Sequence, residues 1–304
     1  MSGSGNTVVI TGASSGIGRA AVSRMAQSGW QVFATVRRTQ DGDALHRDFG
    51  DRLTPIIMDV TRRESVDEAA QKVSVLLNGG GLSGLVNVAG IGKVQPVECM
   101  TREDLEQIFN INLFGQIEVT RALMPLLRGS RGRIVNITSI GAHIAIPFAS
   151  PINATKAAFA IFSDTLRLEL HPFGMHVSAV EPGAITTPAV EKTLGDIEEV
   201  IRRLPPDGAE RYGRMLHEFV KRGYEREKQG SSPDVVAQAI HHALTSERPR
   251  TRYRVGKHAT LLATLAAFLP DRLLDQARFR ITGMPTQFGA VSSKENREPA
   301  RRAA

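Results

Sequence analysis

Three groups able to handle a proton or a carbonyl oxygen stand in one stretch of this chain: the Ser139 hydroxyl, the His143 imidazole and the Lys156 amine. An imidazole exchanges protons near neutral pH, and an amine moved into apolar surroundings is discouraged from holding its charge and becomes a base. Between them, thirteen residues after Ser139 and four before Lys156, sits Ile152. Its hydrocarbon side chain neither gives a proton nor hydrogen-bonds to an oxygen. A second signal lies near the start, in Thr11-Gly12-Ala13-Ser14-Ser15-Gly16-Ile17-Gly18, where the glycines are spaced G-x-x-x-G-x-G. Glycines between a strand and a helix permit a tight turn, let backbone approach a pyrophosphate, and let the helix pack on the sheet. Gly12, Ser14, Ser15, Gly16, Ile17 and Gly18 are therefore expected to cradle a dinucleotide. Val36-Arg37-Arg38 closes the second predicted strand. An acid that would accept from a ribose 2′-OH is missing there, and two guanidiniums suit a 2′-phosphate, so NADP(H) is favoured over NAD(H).

These groups need a scaffold, and the hydrophobic pattern supplies one. Short apolar runs at 7–11, 31–36, 53–58, 84–87, 132–138 and 176–181 alternate with helical patterns at 18–28, 63–77, 101–127 and 151–170. Alternating strands and helices imply βαβ units and a parallel sheet. Thr101, with Asp104 three residues on, resembles a capping box, and Pro151 suits the first turn of its helix. The fold class is α/β, a doubly wound parallel sheet in a single domain over 1–291. The charged, helical 187–230 segment is placed beyond the end of strand six as a lid over a ligand. A helix at 233–245 and a last strand at 252–255 follow. An extension of two short helices over 258–281, broken at Pro270, comes next, and residues 292–304 read as a disordered tail.

Composition narrows the class. A chain of 304 residues that is 41% hydrophobic and 23% charged can bury a full core. Met1 to Gly5 is polar, which is no signal peptide, and no run of eighteen apolar residues suggests a membrane span. Cys99 is the only cysteine, in keeping with a reducing cytoplasm. The net charge is +7, with basic residues gathered at Arg248, Arg250, Arg252, Arg254 and Lys257 and again at Arg297, Arg301 and Arg302. Aromatics make up only 5% and do not interleave with the basic residues, which argues against nucleic-acid binding. A solvated surface or an anionic membrane face is expected instead. Leu261, Leu262, Leu265, Phe268 and Leu269 could touch such a face, cover the substrate cleft or meet a partner subunit. No metal-binding pattern is present.

Glycine loop, Ser139 and Lys156 together resemble the short-chain dehydrogenase/reductase family, closely over 7–190 and loosely beyond, with features of its 17β-hydroxysteroid and retinol dehydrogenase branch in Val32 to Arg38 and Arg252 to Gly256. The resemblance implies a Rossmann-type fold. It implies a cofactor site that adds Asp59 and Val60 at the adenine. The Asn87-Val88-Ala89-Gly90 turn contributes Asn87, Ala89 and Gly90. Pro182, Gly183, Ile185 and Thr187 come from a P-G-x-x-x-T segment whose threonine holds the nicotinamide carboxamide. In such relatives serine holds the substrate oxygen, lysine binds the ribose hydroxyls, tyrosine gives the proton, and an asparagine, here Asn112, supports a water relay. Ile152 occupies the tyrosine position. Loss of a general acid removes roughly 10²–10⁴-fold in rate. Tyr224-Glu225-Arg226-Glu227-Lys228 also spells Y-x-x-x-K, but in the lid, where chance explains it. Tyr212 could enter from the lid, and His143 could donate instead. Family members commonly form dimers or tetramers through helices matched here by 101–127 and 151–170.

Ile140, Ile144, Ile146, Phe148, Ile152 and Val94 make the expected cleft apolar, so the ligand is read as small, bulky and hydrophobic. The leading function is an NADP(H)-dependent oxidoreductase of such alcohols or ketones with impaired or rerouted proton transfer. Three alternatives stand beside it: a non-redox isomerase, dehydratase or cyclase that keeps the nucleotide; a nucleotide-sensing binding protein; and an engineered, inactive Tyr-to-Ile variant. Location is expected in the cytoplasm, with peripheral contact at a membrane as the alternative.

Overall fold

The structure is a computed structural model that describes residues 6–194 and 196–287. The expected disordered tail at 292–304 lies outside the described residues. The chain runs β1 (Thr7–Ile10), α1 (Gly16–Gln27), β2 (Gln31–Val36), α2 (Thr39–Phe49), β3 (Leu53–Ile57), α3 (Arg63–Leu77) and β4 (Gly84–Asn87). It continues through α4 (Arg102–Phe109), α5 (Gly115–Gly129), β5 (Arg133–Ile137), α6 (Ser150–Leu170) and β6 (His176–Pro182). The last part holds α7 (Pro188–Leu194), α8 (Ile197–Arg202), α9 (Pro206–Lys228), α10 (Asp234–Thr245), β7 (Arg252–Val255), α11 (Ala259–Phe268) and α12 (Asp271–Thr282).

All seven strands pair in parallel in one sheet of order β3-β2-β1-β4-β5-β6-β7. Strand residues alternate between two cores. Val8, Ile10, Val32 and Ala34 meet Ala21, Val22 and Met25 of α1 and Val236 and Ile240 of α10 on one face. Val9 and Phe33 meet Val66 and Val73 of α3, Val119 and Leu123 of α5 and Leu166 of α6 on the other. With helices on both faces, near-continuous apolar strands are required rather than half-polar ones. The chain leaves β1 towards β2 on one side and reaches β4 on the other, so a crevice opens at the strand ends between β1 and β4.

Two expectations change. The helix read as continuous over 101–127 is two helices joined by a π-helical turn at Asn110–Phe114. Gly115 lies so close to its surroundings that a Cβ would stand 2.7 Å from the Val60 carbonyl oxygen. The segment over 39–49, not read as an element, is α2. The expected lid is helical, α7 to α9, and brings its own core of Leu216, Phe219 and Val220 against Val94, Cys99, Ile146 and Phe148.

Candidate active site

Gly12 and Gly16 take positive φ of 61° and 54°, a backbone that side chains resist. A Cβ on Gly12 would meet Ala89 Cα at 2.8 Å, and one on Gly18 would stand 2.1 Å from the Gly12 carbonyl oxygen. The loop is thus pressed onto the turn after β4, fixed there by Thr11, whose Oγ1 accepts from the Val88 and Ala89 N–H groups. At the start of α1 the Ser15 side chain makes no capping bond and the first turn holds no acid. Its free N–H groups and positive dipole end suit a pyrophosphate.

A cleft of about 360 Å³ opens above this loop. Of the expected cofactor residues, Gly12, Ser14, Ser15, Gly16, Ile17, Gly18, Arg37, Asp59, Val60, Ala89, Gly90 and Thr187 line it. Arg37 is exposed at the end of β2, while Asp59 is held below the ordinary carboxylate range. Burial raises Asp59, but hydrogen bonds from Thr61 and the charges of Arg37 and Arg62 outweigh it. The residues present therefore fit a nicotinamide dinucleotide: amides for its phosphates, a guanidinium at one end, and a slot between Asp59 and Thr187.

Other expected residues stand away from the cleft wall. Arg38 is turned to Asp41, which takes two 2.9 Å hydrogen bonds from it. Asn87 is buried and donates to Thr120 Oγ1 and Asn136 Oδ1, tying the helix layer to the strands. Pro182 ends β6, Ile185 is buried, and Gly183 makes room for the β7–α11 turn, since a Cβ there would meet the Lys257 carbonyl oxygen at 2.5 Å. Sequence reasoning missed Thr35, Met58, Ile91, Gly92 and Ile111 on the walls, and Ala189 and Thr193 of α7 above them. Thr193 lies against Gly92, where a Cβ would come 2.8 Å from its Oγ1, so α7 spans the cleft mouth. Strand-end position signals Thr35 and Met58; Ile91, Gly92, Ile111 and α7 carry no sequence signal.

Ser139 caps the short turn Ile140–Ala142, its Oγ accepting from the Gly141 N–H at 3.0 Å. Lys156 Nζ donates to the Ile137 carbonyl oxygen at 2.8 Å, and burial pushes the amine down to about 8. Asn112 is buried at the π-helical turn; its Oδ1 accepts from the Ile91 N–H and its Nδ2 donates to the Ile91 carbonyl and, at 3.4 Å, to Thr155 Oγ1. That fixes the loop after β4. His143 Nε2 lies 2.8 Å from Glu181 Oε1, a fully buried carboxylate. Ile152 is half-buried.

Each phenol of the chain is engaged by a partner of its own. The chain has three tyrosines. Tyr212 packs edge-on against Phe148 with its hydroxyl held by Glu98. Tyr224 donates to Glu191 Oε2 at 2.6 Å, so the second Y-x-x-x-K is a lid contact. Tyr253 is bonded to His242 and to the Arg250 N–H. Val94, Ile146 and Phe148, expected to face a ligand, are packed by the lid's own Phe219 and Tyr212.

Residues 6–197 match the family model described as short chain dehydrogenase. Human retinol dehydrogenase 5 is 37% identical over 289 residues, covering 92% of this chain and 90% of that protein. Mouse 17-beta-hydroxysteroid dehydrogenase type 6 is 34% identical over 287 residues with the same coverage, 92% and 90%. Among solved structures, a short-chain dehydrogenase from Streptomyces avermitilis superposes with a TM-score of 0.72 at 30% identity, over 94% of this chain and all of its own.

Proposed function

From the premise that this chain belongs to the short-chain dehydrogenase family, we propose that it is an NADP(H)-dependent oxidoreductase acting on a bulky hydrophobic alcohol or ketone, its proton transfer weakened or rerouted by Ile152. The family uses nicotinamide nucleotides, and a bound nicotinamide supplies or accepts the hydride. The choice of NADP(H) rests on Arg37, a guanidinium at the cleft end where Val36 stands in place of an acid. The substrate class rests on half-buried Ile144 of the turn after Ser139 and half-buried Ile152, both apolar, and on relatives named for retinol and a 17-beta-hydroxysteroid.

In this reading the Gly12–Gly18 loop and the α1 amides hold the pyrophosphate, Arg37 the 2′-phosphate, and Asp59 and Val60 the adenine end. Thr187 orients the nicotinamide. Ser139 Oγ holds the substrate oxygen and Lys156 holds the ribose. Ile152 excludes water but donates nothing, so any proton comes from a group other than a tyrosine. The protein works in the cytoplasm, touching a membrane face from one side. It pairs with copies of itself through α4, α5 and α6, where Ile161 and Leu168 of α6 and Phe114 of the π-helical turn before α5 are exposed.

The observation that carries this reading is the glycine cradle and the cleft above it; Ser139 and Lys156, which do not line that cleft, enter on their spacing in the sequence. Its test is calorimetry with NADPH and NADH, then NADPH oxidation over a panel of bulky ketones for the protein and for Ile152→Tyr. Tighter NADPH binding and turnover raised by the variant support the proposal; binding of neither nucleotide overturns it. A second reading draws on Lys156. An amine that trades its proton near pH 8 can serve a non-redox isomerisation or dehydration, and absence of redox turnover in both proteins would favour it.

A further inference from the structure

Helix α11 is apolar along nearly its whole length, ATLLATLAAF. It packs against β7 and the turn after Ser139 with Ala259 and Ala263, the residues of the helix that are buried. Its larger side chains point the other way. Leu261, Leu265 and Phe268 are 56%, 37% and 82% exposed. Their spacing of i, i+4, i+7 makes one stripe along the outer face. A helix whose outer face met only water would place polar residues there. The stripe is too short to cross a bilayer, and no helix among the described residues is long and apolar enough to do so.

A groove of about 530 Å³ lies at the N-terminal end of this helix, between α9 and the turn from β7 into α11. Lys221, Arg222 and Arg226 line one wall and Lys257 the other, with Glu218 and Glu225 among them. Four cations thus face two carboxylates. Among the described residues Lys221 and Lys257 have no acid partner, while Glu218 reaches Arg222 only at 4.0 Å. Lys257 and His258 of the groove immediately precede Ala259, the first residue of α11, so the basic groove ends where the helix that bears the stripe begins.

We propose that the α11 stripe and the α9–α11 groove form one docking surface for an anionic phospholipid membrane. Leu261, Leu265 and Phe268 enter the acyl boundary, and Lys221, Arg226 and Lys257 meet the headgroup phosphates. This rests on the membrane contact proposed above and assigns it to residues. Charge decides between a bilayer and a second copy of the chain. A two-fold contact centred on the stripe would bring each groove towards its own positive image, whereas an anionic surface complements both grooves. Because α11 also packs against the turn after Ser139, the surface puts the candidate site next to a membrane reservoir of hydrophobic ligand.

The test is co-sedimentation of the full chain with vesicles of neutral phosphatidylcholine and with vesicles containing about one third phosphatidylglycerol. Binding is expected to be at least roughly tenfold tighter to the anionic vesicles and to weaken with salt. Leu261→Ser with Phe268→Ser should lower it about tenfold or more on anionic vesicles. Lys221→Glu with Lys257→Glu should erase the preference for anionic lipid. NADPH affinity and melting curves establish that both variants are folded. Binding to neither vesicle overturns the membrane contact and this surface together. Binding that survives the serine variant overturns this surface but leaves membrane contact elsewhere. A native dimer that the serine variant converts to monomer, without vesicle binding, assigns the stripe to a second copy and overturns the proposal.

Discussion

His143 Nε2 lies 2.8 Å from Oε1 of Glu181, whose side chain is fully buried. The same carboxylate receives Arg252 and, at 3.2 Å, Arg254, and Arg252 also binds Asp164 of α6. One buried charge therefore joins the turn after Ser139, the end of β6, β7 and the helix that carries Lys156. Burial raises the Glu181 carboxyl, but the hydrogen bonds and charges of His143 and Arg252 outweigh it and hold the group below the ordinary range. A depressed carboxylate contributes stability that is complete above its unfolded value and disappears as pH falls through its folded value. Glu181→Gln leaves the partly exposed Arg252 and Arg254 without their shared carboxylate and should cost about 1.5–3 kcal/mol at pH 7, the scale of a hydrogen bond to a charged group. Urea unfolding measures this, and the gap between the two proteins should narrow in acid. Equal stability at pH 7 would show that the network carries no net free energy.

Arg37 and Arg38 are adjacent in sequence but not in role. Arg37 lines the cleft and Arg38 is engaged by Asp41. A charge-assisted bond contributes about 1.5–3 kcal/mol, so Arg37→Ala should weaken NADPH roughly 10- to 100-fold with little change for NADH. Arg38→Ala should cost less than about fivefold, the usual scale of an exposed ion pair. Calorimetry with both nucleotides decides; an equal loss in the two variants would place the 2′-phosphate between them.

How far these relationships could be read from sequence follows from their range. β2 and α3 have the expected bounds, 31–36 and 63–77, because each carries a strong period of its own. Helix α2 escaped because Ala44, Leu45 and Phe49 are too few to mark a face, and Gly42 sits where it packs on Pro55. Missing α2 also hid the Arg38–Asp41 pair, which exists only once Thr39 begins a helix. The glycine loop was legible because backbone geometry leaves little choice of residue. The His143–Glu181 contact was not, since it spans 38 residues and depends on β5 lying beside β6. The π-helical turn at Asn112 is a register fault with no residue-type signature.

Gly18 offers a check on the cradle itself. A Cβ there would stand 2.1 Å from the Gly12 carbonyl oxygen, and backbone on both sides prevents relief. Gly18→Ala should push the loop off the turn after β4 and lower NADPH affinity at least about tenfold, with a loss of about 1–3 kcal/mol in stability from overpacking. Gly29→Ala is a contrasting variant: its Cβ meets open space, and only the positive φ of 82° is strained. It should be destabilised without loss of nucleotide binding. If Gly18→Ala binds NADPH as well as the parent, the pyrophosphate does not lie on this loop.

Lys156 links burial to pH. Burial lowers its amine to about 8 from an ordinary 10.5. Below pH 8 the folded and unfolded chains both hold the proton, and the cost of a buried charge is fully present. Between about 8 and 10.5 the unfolded chain keeps a proton that the folded chain has released. Stability then rises with pH, by up to about 1.4 kcal/mol per unit. Lys156→Met has no such proton and should lack this rise, so the difference between the two proteins must change with pH across that window. Ile152→Tyr makes the complementary case. A phenol beside the ammonium, once ionised, would favour the charged amine and draw the lysine back up, which moves the rise to higher pH. Parallel stability profiles for all three nucleotide-free proteins would mean that the amine is solvated rather than buried against Ile137, and the non-redox reading of Lys156 would lose its support.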